Sequence, residues 1–256
     1  MSNLFDLTGK TAVAIGGNSV LGGSIAVGLA AQGARLAIVG RNLEKSEEVT
    51  KEIEARGGVA KSFQCDVSDL QSVEKVANEI EAWSGGWDIV LNAPGKNSAT
   101  PFLELDPAEW DDIMGVNLRG LVFSTQIFAK HMIKQKRKGS IINISSVSST
   151  TPLSKVFTYS ASKAGVNNIT QFLAKEFAPH GIRVNAIIPG FFPAEQNRKI
   201  LSEDRIDSIM KHTPLNRFGE PHELQGAAIY LASEKASGFV TGSLLRVDGG
   251  FGSMTI

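Results

Sequence analysis

Short apolar runs alternate with longer amphipathic stretches along most of the 256-residue chain. TAVAI (11–15), RLAIV (35–39), VAKSFQ (59–64), DIVL (88–91), SIINIS (140–145), RVNAII (183–188) and SLLRV (243–247) read as strands. Most lack a clean period of two, the pattern of strands buried on both faces of a parallel sheet. Helical patterns fill the intervals, roughly over 21–32, 43–56, 69–82, 107–135, 157–178 and 221–233. This repeated strand–helix alternation predicts an α/β fold with a doubly wound parallel sheet. No linker, low-complexity run or internal repeat divides it, so one domain is expected. In such sheets ligands bind beyond the carboxyl ends of the strands, which directs attention to the residues that follow each run.

Composition narrows the function classes. Hydrophobic residues make up 42% and charged residues 20% of the chain, an ordinary globular balance. Its 26 basic and 26 acidic residues cancel, which argues against an electrostatic nucleic-acid binder. The one basic cluster, Lys134 to Lys138, precedes Gly139 and reads as a solvated helix end. Cys65 is the single cysteine, so no internal disulfide forms and no metal-ligand cluster can be built around it. The N-terminal MSNLFDLTGK lacks the basic-then-apolar order of a secretory signal, and no stretch reaches the ~20 apolar residues of a membrane span. A soluble, cytoplasmic protein with a small-molecule partner is expected.

The strand ends carry candidate chemistry. Gly16-Gly17-Asn18-Ser19-Val20-Leu21-Gly22-Gly23 follows the first run. Glycines permit a tight turn and close backbone approach to a pyrophosphate, and the helix that follows presents free N–H groups and a positive dipole end. After the second run comes Gly40-Arg41-Asn42, where an NAD binder usually places an acidic residue for the ribose. A guanidinium there suits a 2′-phosphate, so NADP(H) is expected in preference to NAD(H). Asp66-Val67, Asn92-Ala93-Pro94-Gly95, Ser145-Ser146 and Pro189-Gly190 follow the next four runs. Each taken singly is compatible with a plain turn; together they concentrate small and polar residues on one sheet edge.

Tyr159-Ser160-Ala161-Ser162-Lys163 places a phenol and an ammonium one helical turn apart. Alone, the pair is also compatible with an ordinary surface helix. With Ser146 thirteen residues before Tyr159, Asn117 in the fourth helical stretch, and Val247-Asp248-Gly249-Gly250 near the end, the chain resembles the short-chain dehydrogenase/reductase family over essentially its whole length. The resemblance implies a single Rossmann-type domain over residues 1–256, a seven-stranded parallel sheet and a substrate lid at about 191–217. It implies that Gly16, Asn18, Ser19, Leu21, Gly22, Arg41, Asp66 and Val67 bind the cofactor. Asn92 to Gly95, Pro189, Gly190 and Phe192 would join them, together with Tyr159 and Lys163. Tyr159 would be general acid in reduction and general base in oxidation, and Ser146 would donate to the substrate oxygen. Lys163 would lower the tyrosine's pKa and hold ribose hydroxyls, and Asn117 would order a water relaying protons to Lys163. Bringing a phenol from ~10 to ~7 requires roughly 4 kcal/mol.

Three departures from the family pattern stand out. Ile15 and Val20 replace a threonine and a glycine of the cofactor loop, and a β-branched residue is poorly tolerated at positive φ, so a diverted loop path is expected at Val20. Asn92-Ala93-Pro94-Gly95 replaces Asn-Asn-Ala-Gly, and Ala194 stands where a threonine often touches the cofactor. The segment FFPAEQNRKIL (191–201) is rich in polar groups, and Lys96, Ser148, Lys155 and Arg198 are candidate substrate contacts. PGFFPAEQNR with HTPLNRFGEP resembles the sugar-acid branch of the family, the mannonate/fructuronate oxidoreductases and gluconate 5-dehydrogenases. A 3-oxoacyl-carrier-protein reductase, with Phe191 and Phe192 lining an acyl channel, is the rival enzyme reading. A nucleotide sensor that has lost turnover is the rival from another class. Subunits of the family commonly form tetramers, so a homotetramer is expected.

Overall fold

Seven strands are present: β1 (Thr11–Ile15), β2 (Arg35–Gly40), β3 (Val59–Gln64), β4 (Ile89–Asn92), β5 (Gly139–Ile144), β6 (Ile182–Pro189) and β7 (Leu244–Val247). In the computed structural model, which describes residues 3–193 and 202–253, they form one sheet in the order β3-β2-β1-β4-β5-β6-β7. Every pairing is parallel. Each strand boundary lies within one residue of its apolar run. All residues of β1 and β4 are buried, whereas the edge strand β3 alternates between buried and exposed. That contrast follows from position, since a central strand of a doubly wound sheet is covered on both faces.

Helices α1 (Val20–Ala31), α2 (Leu43–Ala55), α3 (Leu70–Ser84), α4 (Pro107–Met114), α5 (Leu121–Lys134), α6 (Phe157–Phe177), α7 (Glu203–Lys211) and α8 (Gln225–Ala232) cover the sheet. Alternate residues of β1 serve opposite cores: Ala12 and Ala14 pack with Ile25 and Leu29 of α1 and Leu231 of α8. Val13 and Ile15 pack with Val73 and Ile80 of α3 and Phe128 of α5. The chain winds outward from β1 to β2 and β3, then returns to β4 on the other side of β1. The crevice at the carboxyl ends of β1 and β4 is therefore the switch point where such sheets take ligands.

Two helical features differ from expectation. The stretch 107–135 is not one α-helix, because Gly115–Gly120 between α4 and α5 is a π-helical segment. α7 was not anticipated: its nine residues carry few apolar side chains, and it starts on a Ser202 cap that accepts from the Arg205 N–H. Among the described residues no helix is long and apolar enough to cross a membrane.

Candidate active site

The loop after β1 is shaped by backbone contact. Gly16 has φ +75°, and a Cβ there would lie 2.5 Å from the Ala93 carbonyl oxygen in the loop after β4. A Cβ on Gly22 would lie 2.3 Å from the Gly16 carbonyl oxygen. Ser19 caps α1 by accepting from the Gly22 N–H at 3.1 Å, while its hydroxyl donates to the Gly16 carbonyl at 2.7 Å. Helix N-terminal amides such as those of Val20 and Leu21 have no intrahelical acceptor and suit an anion. Val20 opens α1 half exposed and is absent from the positive-φ residues, so it sits there without the strain a β-branched residue would carry at positive φ. Ile15 is simply core.

Beside this loop, the Asn18 amide donates to the Asn42 carbonyl at 3.1 Å, and a Cβ on Gly40 would meet its nitrogen at 2.2 Å. Glycine at 40 thus lets Asn18 close over the end of β2. The Arg41 side chain is exposed and makes no ion pair among the described residues. Asp66 is held below the usual carboxylate range: burial pushes it up, but hydrogen bonds from the Ser68 hydroxyl and N–H, with the charge of Arg41, outweigh that. Val67 is buried where Gly120 of the π segment comes close, a Cβ there meeting its side chain at 2.9 Å. A glycine cradle at a helix start, with the exposed Arg41 past β2, fits a dinucleotide.

Three elements, the π segment, the end of β5 and α6, bring the candidate catalytic residues together. Lys163 on α6 is 2% exposed, and its ammonium donates to the Ile144 carbonyl at 2.9 Å and the Pro94 carbonyl at 3.5 Å. It lies 5.7 Å from the centroid of the Tyr159 ring, on the same helix face. Burial pulls it down to about 8. Burial also pushes the Tyr159 phenol above its usual value, with a hydrogen bond from Ser146 acting the other way. The expected lowering by Lys163 is therefore not the balance in the chain alone, because removing water from the phenol dominates. Ser146 follows β5 on an extended backbone, and its Oγ accepts from the Ser148 N–H at 3.2 Å and the Ser148 hydroxyl at 3.1 Å.

Asn117 sits in the π segment, fully buried. Its amide donates to the Lys96 carbonyl at 2.9 Å and the Ser162 hydroxyl at 3.1 Å, and its oxygen accepts from the Lys96 N–H at 2.8 Å. The Ser162 hydroxyl in turn donates to the Tyr159 carbonyl at 2.7 Å. Both amide protons of Asn117 are thus committed to bracing the loop after β4 against α6.

Other expected residues separate. The Asn92 side chain turns into the sheet, donating at 2.9 Å to both Thr125 and Asn143. It therefore supports the loop from below, while Pro94 supplies the carbonyl facing Lys163 and Gly95 lies exposed. The Lys96 ammonium pairs with Asp112. Pro189 ends β6 and pairs with Val247, and a Cβ on Gly190 would lie 2.7 Å from the Asp248 Cα. Phe192 packs on the α1 side of the core and against Gly219, and Phe191 meets Phe251 edge to face at 5.2 Å. Arg198 and Ala194, with most of 191–201, lie outside the described residues. The sequence reading missed Ser162, which ties Asn117 to Tyr159, and Ser149, whose hydroxyl donates to the Ser146 carbonyl at 2.5 Å. The serine run 145–149, broken only at Val147, was the visible signal for Ser149, and the second serine of Tyr159-Ser160-Ala161-Ser162-Lys163 that for Ser162.

Known proteins share this fold. A family model described as enoyl-(acyl carrier protein) reductase matches residues 16–252. Gluconate 5-dehydrogenase of Gluconobacter oxydans is 36% identical over 97% of this chain and 96% of its own. A gluconate 5-dehydrogenase from Burkholderia cenocepacia, solved with NADP and tartrate, superposes with a TM-score of 0.92 at 36% identity over 98% of both chains. A Haemophilus influenza structure with bound NAD superposes at 0.93, with 38% identity over 99% of both chains. With its parallel sheet, glycine cradle and Ser146–Tyr159–Lys163 cluster, the chain belongs to the short-chain dehydrogenase/reductase family, a family of nicotinamide-dependent oxidoreductases.

Proposed function

We propose that this enzyme transfers a hydride between a nicotinamide cofactor and the carbonyl or secondary alcohol carbon of a sugar acid, a ketoaldonate/aldonate pair. The observation that carries the reading is the convergence of Ser146, Tyr159 and Lys163 beside the β1–β4 crevice. Gly16 to Gly22 would hold the pyrophosphate, Arg41 a 2′-phosphate, Asp66 and Val67 the adenine, and the third donor of Lys163 the nicotinamide ribose. Preference for NADP(H) rests on Arg41. The bound cofactor supplies the hydride and, when oxidised, a positive charge beside Tyr159.

In reduction, Ser146 donates a hydrogen bond to the carbonyl oxygen as negative charge develops there. Tyr159 gives its phenolic proton to that oxygen, forming the alcohol and leaving a phenolate. Lys163 stabilises the phenolate by charge, and oxidation runs through the same atoms in reverse. The sugar-acid class is favoured by the named relatives and by the tartrate, itself a hydroxy acid, held in the Burkholderia protein.

A panel of 5-ketogluconate, fructuronate and acetoacetyl thioester with NADPH and NADH, read at the reduced nicotinamide band, tests the reading. Tyr159→Phe should lose nearly all turnover and keep cofactor binding; substantial activity in that variant removes Tyr159 from the mechanism. The assembly we infer is a homotetramer acting in the cytoplasm, supported by fully exposed Phe239, by Phe172 on α6 at 63% exposure, and by the outer edge of β7. Sizing at micromolar concentration would show a monomer if that inference fails.

A further inference from the structure

We propose that Ser148 is a positioning residue that fixes the direction of the Ser146 hydroxyl, rather than a direct contact of the substrate. The inference rests on the catalytic reading above. A hydroxyl oxygen has one proton to donate and two lone pairs to accept with. Both acceptor sites of the Ser146 Oγ are filled by one neighbour, through the Ser148 N–H at 3.2 Å and the Ser148 hydroxyl at 3.1 Å. Ser148 is 4% exposed, so water does not compete freely for that contact.

With its lone pairs occupied, Ser146 has only its proton left to offer. That proton is free to go to the Tyr159 oxygen, whose pKa a bond from Ser146 lowers, or to a substrate oxygen placed beside it. The backbone is held as well. The Ser149 hydroxyl donates to the Ser146 carbonyl at 2.5 Å, and the Asn167 amide of α6 donates to the Ser149 hydroxyl at 2.8 Å. Without the Ser148 hydroxyl, one lone pair of Ser146 is free and its O–H can rotate away from the phenol. A donor aimed at a developing oxyanion acts through this preorganisation, so loss of direction weakens it without removing it.

The charged group facing the Tyr159 ring is Lys163, from the same helix. Among the described residues neither Lys163 nor Tyr159 forms a hydrogen bond with Ser148, so the effect of Ser148 on the phenol passes through Ser146.

The chain contains two tyrosines, Tyr159 and Tyr230. In a Tyr230→Phe background, tyrosinate absorbance near ~295 nm therefore follows Tyr159 alone as pH rises, and the titration is run with NADP+ bound. Ser148→Ala should move that midpoint upward by about half to one pH unit and lower kcat for 5-ketogluconate reduction about three- to tenfold, with KM little changed, as expected for one misdirected neutral hydrogen bond. In a Ser146→Ala background, adding Ser148→Ala should change neither readout. The inference is overturned if Ser148→Ala leaves both the titration and kcat unchanged, if it raises KM alone, or if it costs as much without Ser146 as with it. Activity retained in Tyr159→Phe, or no turnover of any probe by the wild type, instead overturns the catalytic reading; the titration then judges Ser148 separately.

Discussion

Lys163→Met is the substitution whose consequence for stability can be worked furthest. Lys163 is 2% exposed, and burial takes its pKa from 10.5 to about 8. Holding it protonated in the folded chain therefore costs about 3 kcal/mol at ~1.36 kcal/mol per pH unit. Between the folded and unfolded values the unfolded chain binds more protons, so this group makes the protein more stable as pH rises through that window. The gain is lost again as pH falls through about 8. From pH 7 to pH 9.5 the recovery amounts to about 2 kcal/mol. Methionine keeps the unbranched stem and does not titrate, so its stability carries no such rise. At pH 7 the variant escapes the burial penalty but leaves the Ile144 and Pro94 carbonyls without a donor, roughly 1 kcal/mol each, so a net gain of about 1 kcal/mol is expected. Urea unfolding followed by circular dichroism at pH 7 and 9.5 measures both curves. Tyr159, whose folded pKa is raised, contributes stability lost only as pH climbs past the ordinary phenol value, and that contribution cancels between the two proteins. Parallel pH dependence in wild type and variant would refute the argument, since it would mean that Lys163 is not a charge held against burial.

Two further substitutions probe the crevice. Arg41→Ala should raise KM for NADPH about tenfold or more, the scale of one charge-assisted contact, and leave NADH nearly unaffected; equal loss for both cofactors would detach Arg41 from the 2′-phosphate. Gly16→Ala places a Cβ at φ +75° and 2.5 Å from the Ala93 oxygen, so a loss of roughly 2 kcal/mol in stability is expected together with weakened NADPH binding, read by thermal unfolding and nucleotide fluorescence. An unchanged Tm would show that the two loops can separate without penalty.

Much of the fold was legible because buried parallel strands announce themselves as short apolar runs, and all seven fell within a residue of their observed bounds. The proposed catalytic pair was visible as a candidate because Tyr159 and Lys163 share a helix face, a relation that spacing alone encodes. What escaped was tertiary. The π segment around Asn117 is bounded by Gly115 and Gly120, but glycines inside an otherwise helical pattern do not by themselves specify a π turn. Asn92 lies one residue from the loop it was expected to serve, and strand alternation turns its side chain inward to Asn143 instead. α7 escaped because a short polar helix depends on its cap and its neighbours more than on a periodic face.

The hydrogen bonds around the crevice explain how a buried ammonium and a buried phenol can be held together at all. The Lys163 ammonium takes the Ile144 carbonyl at the end of β5 and the Pro94 carbonyl beyond β4, two groups that would otherwise end the strands unpaired. Asn117 pins the next residues after β4 through both backbone atoms of Lys96, and through Ser162 it reaches the first turn of the Tyr159 helix. Ser146 is held on its side chain by Ser148 and on its carbonyl by Ser149, which Asn167 ties back to α6. Lys163 thus leans on the ends of both β4 and β5, Ser146 follows β5, and α6, which carries Tyr159 and Lys163, reaches Ser146 through Asn167 and Ser149. A shift of α6 by a fraction of an ångström would alter the Lys163 and Tyr159 environments together and, through Asn167 and Ser149, pull on Ser146 as well. That is the property a proton-transfer site requires, because a donor misplaced by about 1 Å loses on the order of a hundredfold in rate. The desolvation penalty carried by Lys163 and the elevated phenol of Tyr159 are therefore one feature, a dry pocket kept rigid so that added charge acts on the tyrosine at full strength.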